Sequence, residues 1–250
     1  MMAELLPWKQ DFLQSAESRG VLAFGSFKLK SERISPYFFN LGNFSDGEGF
    51  EELCQAYAKA ISESKIEFDV LFGPAYKFTF LCDVLFEKGI PLVAGVTLAL
   101  YNSHGLSFPF CYNRKEVKDH GEGGWLVGAK NMLKEGTRVL LVDDVITAGT
   151  AVQQAIELLR PYKCTIAGLM IGLDREEHMT TSPSIFWEHF NFPVIHVLNA
   201  TDIIRFLEIK IAKGIVQRDG KSYECDLKAL LHYRDKYGKN INEPLPGTIA

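Results

Sequence analysis

Apolar runs followed by turns and amphipathic stretches recur along the chain. Short apolar runs predict buried strands, and apolar residues spaced three and four apart predict helices. The predicted strands lie near residues 68–72, 90–94, 108–112, 139–142, 165–173 and 194–198, and the second of them could lie just before residue 90. The predicted helices cover residues 7–18, 49–64, 95–104, 150–160, 201–207 and 226–237. Strands that alternate with helices indicate an α/β fold with a central, mostly parallel sheet flanked by helices.

The chain is expected to form one domain overall, because 250 residues that are 47% hydrophobic can bury one good core. Residues 1–46 are rich in Phe and Ser, fit the alternation poorly and are interpreted as a small N-terminal hood. Residues 47–215 form the α/β core. Residues 216–250 are interpreted as a C-terminal helix and a loose tail, since the tail contains two prolines and a glycine.

Charge and cysteine usage exclude several classes of protein. A net charge of −4 argues against a nucleic-acid-binding or membrane-binding surface, so any anion site must be built locally. The five cysteines are scattered, odd in number and without C-x-x-C spacing, which is typical of a reduced, cytoplasmic protein. The amino end does not resemble a signal peptide. The most apolar span, residues 78–101, is interrupted by charges and by Gly-Ile-Pro, so it indicates core and not a membrane helix.

The stretch VLLVDDVITAGT, residues 139–150, carries the most information about chemistry. A buried strand ends at the paired acids Asp143 and Asp144, and a small, hydroxyl-rich loop then leads into a helix. Ligands of open α/β sheets bind at the carboxyl ends of strands. Unpaired N–H groups at a helix start favour phosphate, and Gly149 permits a close approach of the backbone. The acids suit a sugar diol or a hydrated metal, so the stretch indicates a ribose 5-phosphate.

Two other interpretations of this stretch stay open on the residues alone. A strand that ends in two acids also fits a Walker B element, which needs a P-loop elsewhere. The nearest match, residues 123–128, is followed by Ala129 and Lys130 where Lys and then Ser or Thr are required. The acids could also be merely solvated at the end of an ordinary strand.

Two further segments carry positive charge. Lys77 follows a predicted strand in FGPAYK and could hold a pyrophosphate, or it is a solvated loop lysine. Residues 113–124 form a charged, glycine-rich loop suited to close over a polyanion and release it, although many charged hairpins do nothing of the kind. The basic and imidazole side chains of that loop are Arg114, Lys115, Lys118 and His120.

Aromatic and planar cationic groups could recognise a flat acid. Phe38 and Phe39 could stack on a heterocycle, or simply alternate between the core and a partner. Arg175 follows a predicted strand and could clamp a carboxylate with its planar fork, or form a surface ion pair.

In combination, these segments resemble the orotate phosphoribosyltransferase family, type I phosphoribosyltransferases that use 5-phosphoribosyl-1-pyrophosphate (PRPP). The strings FGSFKLKS, SPYFFN, FGPAYK, NRKEVKDHGEGG, VDDVITAGTA and LDRE occur in the family's order, between about residues 12 and 237. The resemblance implies the type I phosphoribosyltransferase fold, with residues 47–215 as the PRPP-binding core. It also implies Mg²⁺-dependent conversion of orotate and PRPP to orotidine 5′-monophosphate and pyrophosphate, in the synthesis of UMP. The alternatives are another PRPP-dependent nucleobase transferase or a PRPP-binding regulatory protein.

Residue roles follow from the resemblance, motif by motif. It implies that the catalytic residues are Lys118, Asp143 and Asp144. The implied PRPP contacts are Lys30, Tyr76, Lys77, Arg114, Lys115, Lys118, His120, Asp143, Asp144, Val145, Ile146, Thr147, Ala148, Gly149, Thr150 and Ala151. The implied orotate contacts are Phe38, Phe39, Thr147 and Arg175, with Lys30 at the border of the pocket. No residue is expected to bind Mg²⁺ directly, since PRPP, pyrophosphate and water hold it. A homodimer is implied, in which loop 114–124 reaches the partner's site.

The chain departs from the family pattern at two places. Residues 78–88 separate Lys77 from the Gly-Ile-Pro that usually follows the lysine, so either Lys77 or Lys88 binds pyrophosphate, and Lys77 is preferred because it directly follows its strand. Glu32 stands where the family often has glycine. This acid near a proposed anion site either weakens binding or points outward.

Overall fold

The computed structural model describes residues 4–29, 31–75, 89–118, 124–145, 150–177, 192–217 and 219–238, apart from the side chains of 115–118, 124, 150 and 151. Its helices are α1 (Pro7–Ser18), α2 (Gly47–Ser64), α3 (Gly89–His104), α4 (Thr150–Leu159), α5 (Ala200–Ala212) and α6 (Tyr223–Tyr237). Its strands are β1 (Leu22–Lys28), β2 (Ile34–Phe39), β3 (Val70–Gly73), β4 (Phe110–Lys118), β5 (Gly124–Gly128), β6 (Arg138–Val142), β7 (Thr165–Asp174) and β8 (Val194–Asn199).

Six of these strands form the central sheet, in the order β5-β4-β3-β6-β7-β8. Strands β4, β3, β6, β7 and β8 run parallel, and only β5 pairs antiparallel, at one edge. The prediction of an α/β fold with a mostly parallel sheet is confirmed. Strand β6, which carries the paired acids at its end, lies in the middle of the sheet, where both of its neighbours hold it in register.

Both faces of the sheet are covered, which explains why its strands are continuous apolar runs. Successive side chains of a strand point to opposite faces. Accordingly Leu140 and Val142 belong to a core that includes residues of α1, α2, α3 and α5. Val139 and Leu141 belong to a second core formed with α4. The central strand β6 is therefore buried on both sides.

The predicted strand at residues 90–94 is wrong, because these residues lie in α3. Helix α3 begins at Gly89, and Pro91 lies in its first turn, where backbone N–H groups have no partner within the helix and a proline is tolerated. Its buried residues Val93, Val96 and Leu100 follow helical spacing. The run is apolar on most sides because α3 packs against both α2 and the sheet.

The amino-terminal segment forms α1 and a two-stranded antiparallel hairpin, β1–β2, which the sequence pattern did not predict. Strand β1 has an irregularity between Phe24 and Phe27, and Gly25 lies there with a φ of 155°. The irregularity disrupts the period-two alternation that would reveal a strand. Buried side chains of α1 and β2, such as Leu13 and Tyr37, belong to the same core as those of α2.

The prediction that the charged segment 113–124 is a loop is wrong for part of its length. Residues 113–118 continue β4, and Gly124 begins β5, which pairs with β4 through Cys111↔Gly128 and Lys118↔Gly124. Residues 119–123 lie outside the described part of the chain. The charges of residues 113–124, hereafter the arm, concealed the strand, because an antiparallel pair can face water on one side and then needs fewer apolar side chains.

The predicted helices are confirmed, with differences at their ends. Helix α1 has the predicted bounds. Helix α5 begins one residue before its prediction, where Asn199 and Asp202 form a reciprocal capping box, and it continues to Ala212. Helix α6 begins at Tyr223, after the N-cap Ser222. Within the described residues, no helix combines the length and apolarity needed to cross a membrane.

Candidate active site

Four segments with predicted site residues meet at one edge of the sheet. The parallel strands β3, β6 and β7 all end there, at Gly73, Val142 and Asp174. Strand β4 pairs Tyr112 with Gly73, so Asn113 and the half-buried Arg114 lie just beyond the end of β3. Carboxyl ends of parallel strands are where α/β sheets bind their ligands. This edge is the candidate active site.

The paired acids occupy a turn, residues 143–145, hereafter the diacid turn. Asp143 is buried at 5% exposure, and Asp144 is half-buried. Each carboxylate accepts the next backbone N–H: Asp144 N donates to Asp143 Oδ1 at 2.8 Å, and Val145 N donates to Asp144 Oδ1 at 2.7 Å. Strand β7 holds the main chain, through Asp143 N to Met170 O at 2.9 Å and Gly172 N to Asp144 O at 2.7 Å. The carboxylates are thus oriented before any ligand binds.

Tyr57 of α2 also contacts the diacid turn, and sequence reasoning missed it. Its hydroxyl donates to the carbonyl oxygen of Asp143 at 2.8 Å and lies 3.4 Å from that of Asp144. Burial, together with the charges of the two aspartates, raises the pKa of Tyr57 well above its ordinary value, so the hydroxyl keeps its proton. On sequence, Tyr57 is one more large residue on the buried face of a helix, and nothing distinguishes it.

Asn113 is a second residue that sequence reasoning left without a role. Its Oδ1 accepts from Ala75 N at 2.8 Å, and its Nδ2 donates to Ala75 O at 3.1 Å. Both backbone groups of Ala75 are therefore held at the start of segment 76–88. The other end of that segment lies close by: a Cβ placed on Gly89 would lie 2.1 Å from the carbonyl oxygen of Pro74.

Arg175 connects the end of β7 to the hairpin. Its Nε donates to Glu177 Oε1 at 2.6 Å, and one of its terminal nitrogens donates to Ser35 Oγ at 2.8 Å. Its guanidinium also lies over the ring of Tyr37, 4.3 Å from the centroid. Burial acts to lower the pKa of Arg175, but Tyr37 and Glu177 more than offset this, and the net pKa rises. The guanidinium is a permanent, partly desolvated cation at the site.

Glu177 is the residue that joins three elements here, and it too was missed. Its second oxygen, Oε2, accepts from Arg33 at 3.0 Å and from the Tyr233 hydroxyl at 3.1 Å. Arg33 precedes β2, Tyr233 lies on α6, and both are buried. On sequence Glu177 is only the second of two acids after Arg175.

The two predicted aromatic residues have different surroundings. Phe38 is 42% exposed and stacks on Phe27, with ring centroids 5.5 Å apart. Phe39 is buried in the core, so only its neighbour offers an accessible ring. The chain then reaches Leu41, whose Cδ1 would lie 2.6 Å from a Cβ on Gly172. The hairpin thereby reaches the residue that bonds to the diacid turn.

Several predicted site residues lie outside the described part of the chain. They are Lys30, Tyr76, Lys77, His120, Ile146, Thr147, Ala148 and Gly149, together with the alternative lysine Lys88. The side chains of Lys115, Lys118, Thr150 and Ala151 are also not described, although Lys118 ends β4 and Thr150 begins α4. Val145 is described, and it forms a parallel bridge with Leu173.

The described residues contain no group of three or more His, Cys, Asp or Glu side chains that could hold a metal ion. The carboxylates of Asp143 and Asp144 still suit a hydrated Mg²⁺, which binds few protein oxygens and keeps several waters. Their oxygens already accept backbone N–H groups, so their orientation is set for such an ion or for a diol.

Comparisons with known proteins agree with this geometry. The phosphoribosyl transferase domain family matches residues 40–197. The orotate phosphoribosyltransferase of Pseudomonas putida is 43% identical over 235 residues, which cover 93% of this chain and 99% of the relative. That of Vibrio cholerae is 43% identical over 234 residues, which cover 92% and 98%.

Solved structures are similar as well. The crystal structure of orotate phosphoribosyltransferase from Francisella tularensis aligns with a TM-score of 0.73 at 35% identity, covering 92% of this chain and 100% of that one. A Mycobacterium tuberculosis orotate phosphoribosyltransferase in complex with PRPP has a TM-score of 0.51 at 17% identity, covering 79% and 99%, and shares the fold.

Proposed function

The chain belongs to the orotate phosphoribosyltransferase family, and we propose that its candidate active site transfers the 5-phosphoribosyl group of PRPP to orotate. The products are orotidine 5′-monophosphate and pyrophosphate. One observation carries the assignment of the site: the oriented carboxylates of Asp143 and Asp144 directly follow the central strand, and the helix α4 begins at Thr150, six positions after Asp144. A diol receptor beside a helix start suits a ribose 5-phosphate.

PRPP binds at two adjacent places. The carboxylates of Asp143 and Asp144 accept hydrogen bonds from the ribose hydroxyls. The backbone N–H groups of residues 147–150 and the start of α4 bind the 5-phosphate, because the first N–H groups of a helix have no partner within it. The relative from M. tuberculosis is in complex with PRPP, and its shared fold supports this proposal.

The leaving pyrophosphate needs positive charge, since it gains negative charge as its bond to the anomeric carbon breaks and the ribose gains oxocarbenium character. Cationic side chains of the arm, Arg114, Lys115, Lys118 and His120, surround it with Lys77. Preorganised charge of this kind stabilises a transition state more than a ground state. Mg²⁺, when bound through the phosphate oxygens, supplies further neutralisation of the leaving group. We expect that removal of the ion by a chelator abolishes turnover and that added Mg²⁺ restores it, and turnover retained without the ion would contradict this role.

Orotate is held by its carboxylate and its ring. Arg175 has five N–H donors in a planar fork, so it can retain Glu177 and Ser35 and still donate to a carboxylate. Phe38, exposed on the hairpin, offers a ring for stacking. The ring nitrogen of orotate then attacks the face of the ribose opposite the departing pyrophosphate, which inverts the anomeric centre.

The experiment supplies PRPP with orotate, adenine, guanine or uracil and measures pyrophosphate release, and the reaction with orotate is also followed by ultraviolet absorbance. We expect turnover with orotate, and turnover with another base instead would overturn the assignment. Asp144→Asn should raise KM for PRPP by about tenfold or more, because a charged acceptor contributes about 1.5–3 kcal/mol. Asp69→Asn is the control, since Asp69 lies before β3, at the opposite edge of the sheet, and pairs with Arg138.

We also propose that the enzyme is a homodimer. Leu98 and Tyr101 lie one turn apart on α3, and each is 60% exposed, an apolar pair that a second copy can cover. Leu98→Asp should shift the sedimentation coefficient from dimer to monomer. The arm's reach into the partner's site has its own test: mixing Lys118→Ala with Asp144→Asn subunits should restore activity, because one site of each hybrid then lacks both defects. No recovery would contradict the sharing of sites.

The proposed place of the reaction is the cytoplasm, in the synthesis of UMP. The described cysteines are all free, in agreement with a reducing compartment. The product carries the orotate carboxylate on a nucleotide, so a decarboxylation must follow to give UMP. Loss of this protein should therefore create a growth requirement for uridine or uracil, and unimpaired growth without either would contradict the role.

A further inference from the structure

We infer that Tyr57 is a positioning residue of the PRPP site, whose hydroxyl fixes the main chain that carries Asp143 and Asp144. The inference rests on the proposed role of these two acids. Tyr57 is fully buried on α2, and its hydroxyl donates to Asp143 O at 2.8 Å, with Asp144 O at 3.4 Å. No substrate contact is assigned to it.

The Tyr57 hydroxyl bonds to the main chain that follows β6, just beyond the point where the pairing of β6 with β3 ends. Strand β3 pairs with β6 as far as Phe72↔Leu141. Of the residues that follow β3, Pro74 has no N–H to donate, and the N–H of Ala75 donates to Asn113. These two residues therefore supply no donor to the diacid turn, and α2 supplies one through Tyr57. A buried carbonyl without a donor would be costly.

Packing alone does not require a tyrosine at this position. A phenylalanine ring would fill the same volume, whereas a buried hydroxyl costs free energy unless it is hydrogen-bonded. The neighbouring Gly172 leaves room for the hydroxyl: a Cβ there would lie 2.8 Å from Tyr57 Oη. Gly172 also donates to Asp144 O at 2.7 Å. The hydroxyl from α2 thus holds the carbonyl group of Asp143, and the Gly172 N–H from β7 holds that of Asp144.

The position of the Asp143 and Asp144 carbonyl groups determines the position of the two carboxylates. Asp144 N donates to Asp143 Oδ1, and Val145 N donates to Asp144 Oδ1, so each carboxylate follows the peptide unit next to it. A rotation of these peptide units misaligns the acceptors for the ribose hydroxyls. Binding of orotate, which is proposed at Arg175 and Phe38, does not depend on this alignment.

The test compares Tyr57→Phe with Tyr223→Phe, both buried tyrosines. The Tyr223 hydroxyl donates to Glu17 at 2.5 Å, away from the sheet edge, so its variant controls for lost stability. We expect Tyr57→Phe to raise KM for PRPP by about fivefold, as the loss of one hydrogen bond implies, and to leave KM for orotate within about twofold. Tyr223→Phe should leave both KM values unchanged.

Gly172→Ala approaches the same bond from the other side and should also raise KM for PRPP. Asp144→Asn distinguishes a failure of the inference about Tyr57 from a failure of the proposed PRPP site. If Asp144→Asn raises KM for PRPP while Tyr57→Phe does not, or if Tyr57→Phe raises both KM values alike, the inference about Tyr57 is wrong and the proposed site stands. If neither Asp144→Asn nor Tyr57→Phe alters KM for PRPP, the proposed PRPP site itself is wrong.

Discussion

Arg175 donates from Nε to Glu177 Oε1 at 2.6 Å, and this pair joins three parts of the fold. The same carboxylate accepts from Arg33, before the hairpin strand β2, and from Tyr233 on α6. Side chains of Arg33, Arg175 and Glu177 are between 8% and 15% exposed, so the charges are largely withdrawn from water. One glutamate therefore connects the hairpin, the end of β7 and the C-terminal helix beside the proposed orotate pocket.

Glu177→Gln should lower the free energy of unfolding by about 3 kcal/mol, because removal of one partner from a buried ion pair leaves the desolvated cations without their shared carboxylate. Urea unfolding measures this change. Glu67→Gln is the control, since Glu67 pairs with Arg138 but is 83% exposed, and its loss should cost less than about 1 kcal/mol. Equal losses of unfolding free energy in the two variants would contradict the expectation that the buried ion pair stabilises the fold more than the exposed one.

Arg175→Lys should raise KM for orotate by about tenfold or more and change KM for PRPP less. Lysine keeps the charge but loses the planar fork that matches a carboxylate, a geometry that contributes about 1.5–3 kcal/mol. Steady-state kinetics with each substrate varied in turn separates the two constants. Arg160→Lys, at an exposed pair with Glu157, should change neither. A selective loss of PRPP affinity in Arg175→Lys would remove this residue from the orotate site.

Glu32→Gly should stabilise the protein by about 0.5–1 kcal/mol. Glu32 adopts a φ of 63°, in the left-handed region that disfavours side chains, and it stands where the family often has glycine. Its side chain is 76% exposed, and its ion pair among the described residues is with the exposed Lys28, so little is lost with it. Glu63→Gly, within α2 and in a matching exposed pair with Lys59, should instead destabilise, because a glycine in a helix costs conformational entropy. Thermal unfolding of both variants checks the contrast.

Deletion of residues 78–88 should leave a folded, active enzyme. The ends of the segment already meet, since a Cβ on Gly73 would lie 2.4 Å from the carbonyl oxygen of Gly89, and one on Gly89 lies closer still to that of Pro74. After the deletion, residues 75–77 close the turn and bring Lys77 directly before Gly89. Activity of the deletion variant, and its loss on further Lys77→Ala substitution, would assign the pyrophosphate role to Lys77.

In the full-length chain, Lys77→Ala and Lys88→Ala form the matching pair for that assignment. We expect Lys77→Ala to reduce turnover and Lys88→Ala to leave it close to wild type. The reverse result would transfer the pyrophosphate role to Lys88, and a deletion variant that unfolds would mean that the inserted residues contribute to the core.

The sheet could be predicted from sequence because its strands are buried on both faces and stand out as apolar runs. Residues such as Val139 and Leu141 carry that signal without help from tertiary context. The same logic misassigned residues 90–94, since a helix packed on several sides is also continuously apolar, and a proline in its first turn looks like a break. The hairpin β1–β2 escaped prediction because its irregularity near Gly25 disrupts the alternation.

The site divides in a similar way. The roles of the site residues toward the substrates stay predictions. The positions of Asp143, Asp144 and Arg175 at one sheet edge were predictable, because polar groups directly after buried strands meet there. Tyr57, Asn113 and Glu177 were not, because their roles are hydrogen bonds to main chain or side chains distant in sequence, as for Tyr57 and Asp143, whose sequence separation is 86. A local pattern contains no information about such partners until the fold brings them together.

Protonation of His196 should make stability fall as the medium becomes acidic. Burial, with a contribution from Lys9, lowers its pKa below the ordinary 6.5, against the opposing charge of Asp174. Its Nδ1 is buried without a hydrogen-bond partner among the described residues. A depressed pKa means that the unfolded chain binds the proton first, so the stabilisation is present above about pH 6.5 and is lost as the pH falls through the folded-state pKa.

His196→Gln cannot titrate, so its free energy of unfolding should depend less on pH than that of the wild type between about pH 7 and pH 5. His232→Gln, at an exposed position of α6, should keep the wild-type slope. Urea unfolding of the three proteins at several pH values gives the slopes directly. Carboxylates also titrate toward the lower end of this range, but they are common to all three proteins and cancel in the comparison. A wild-type slope retained by His196→Gln would show that other groups carry the acid sensitivity, and that the imidazole has the same pKa in the folded and unfolded chains.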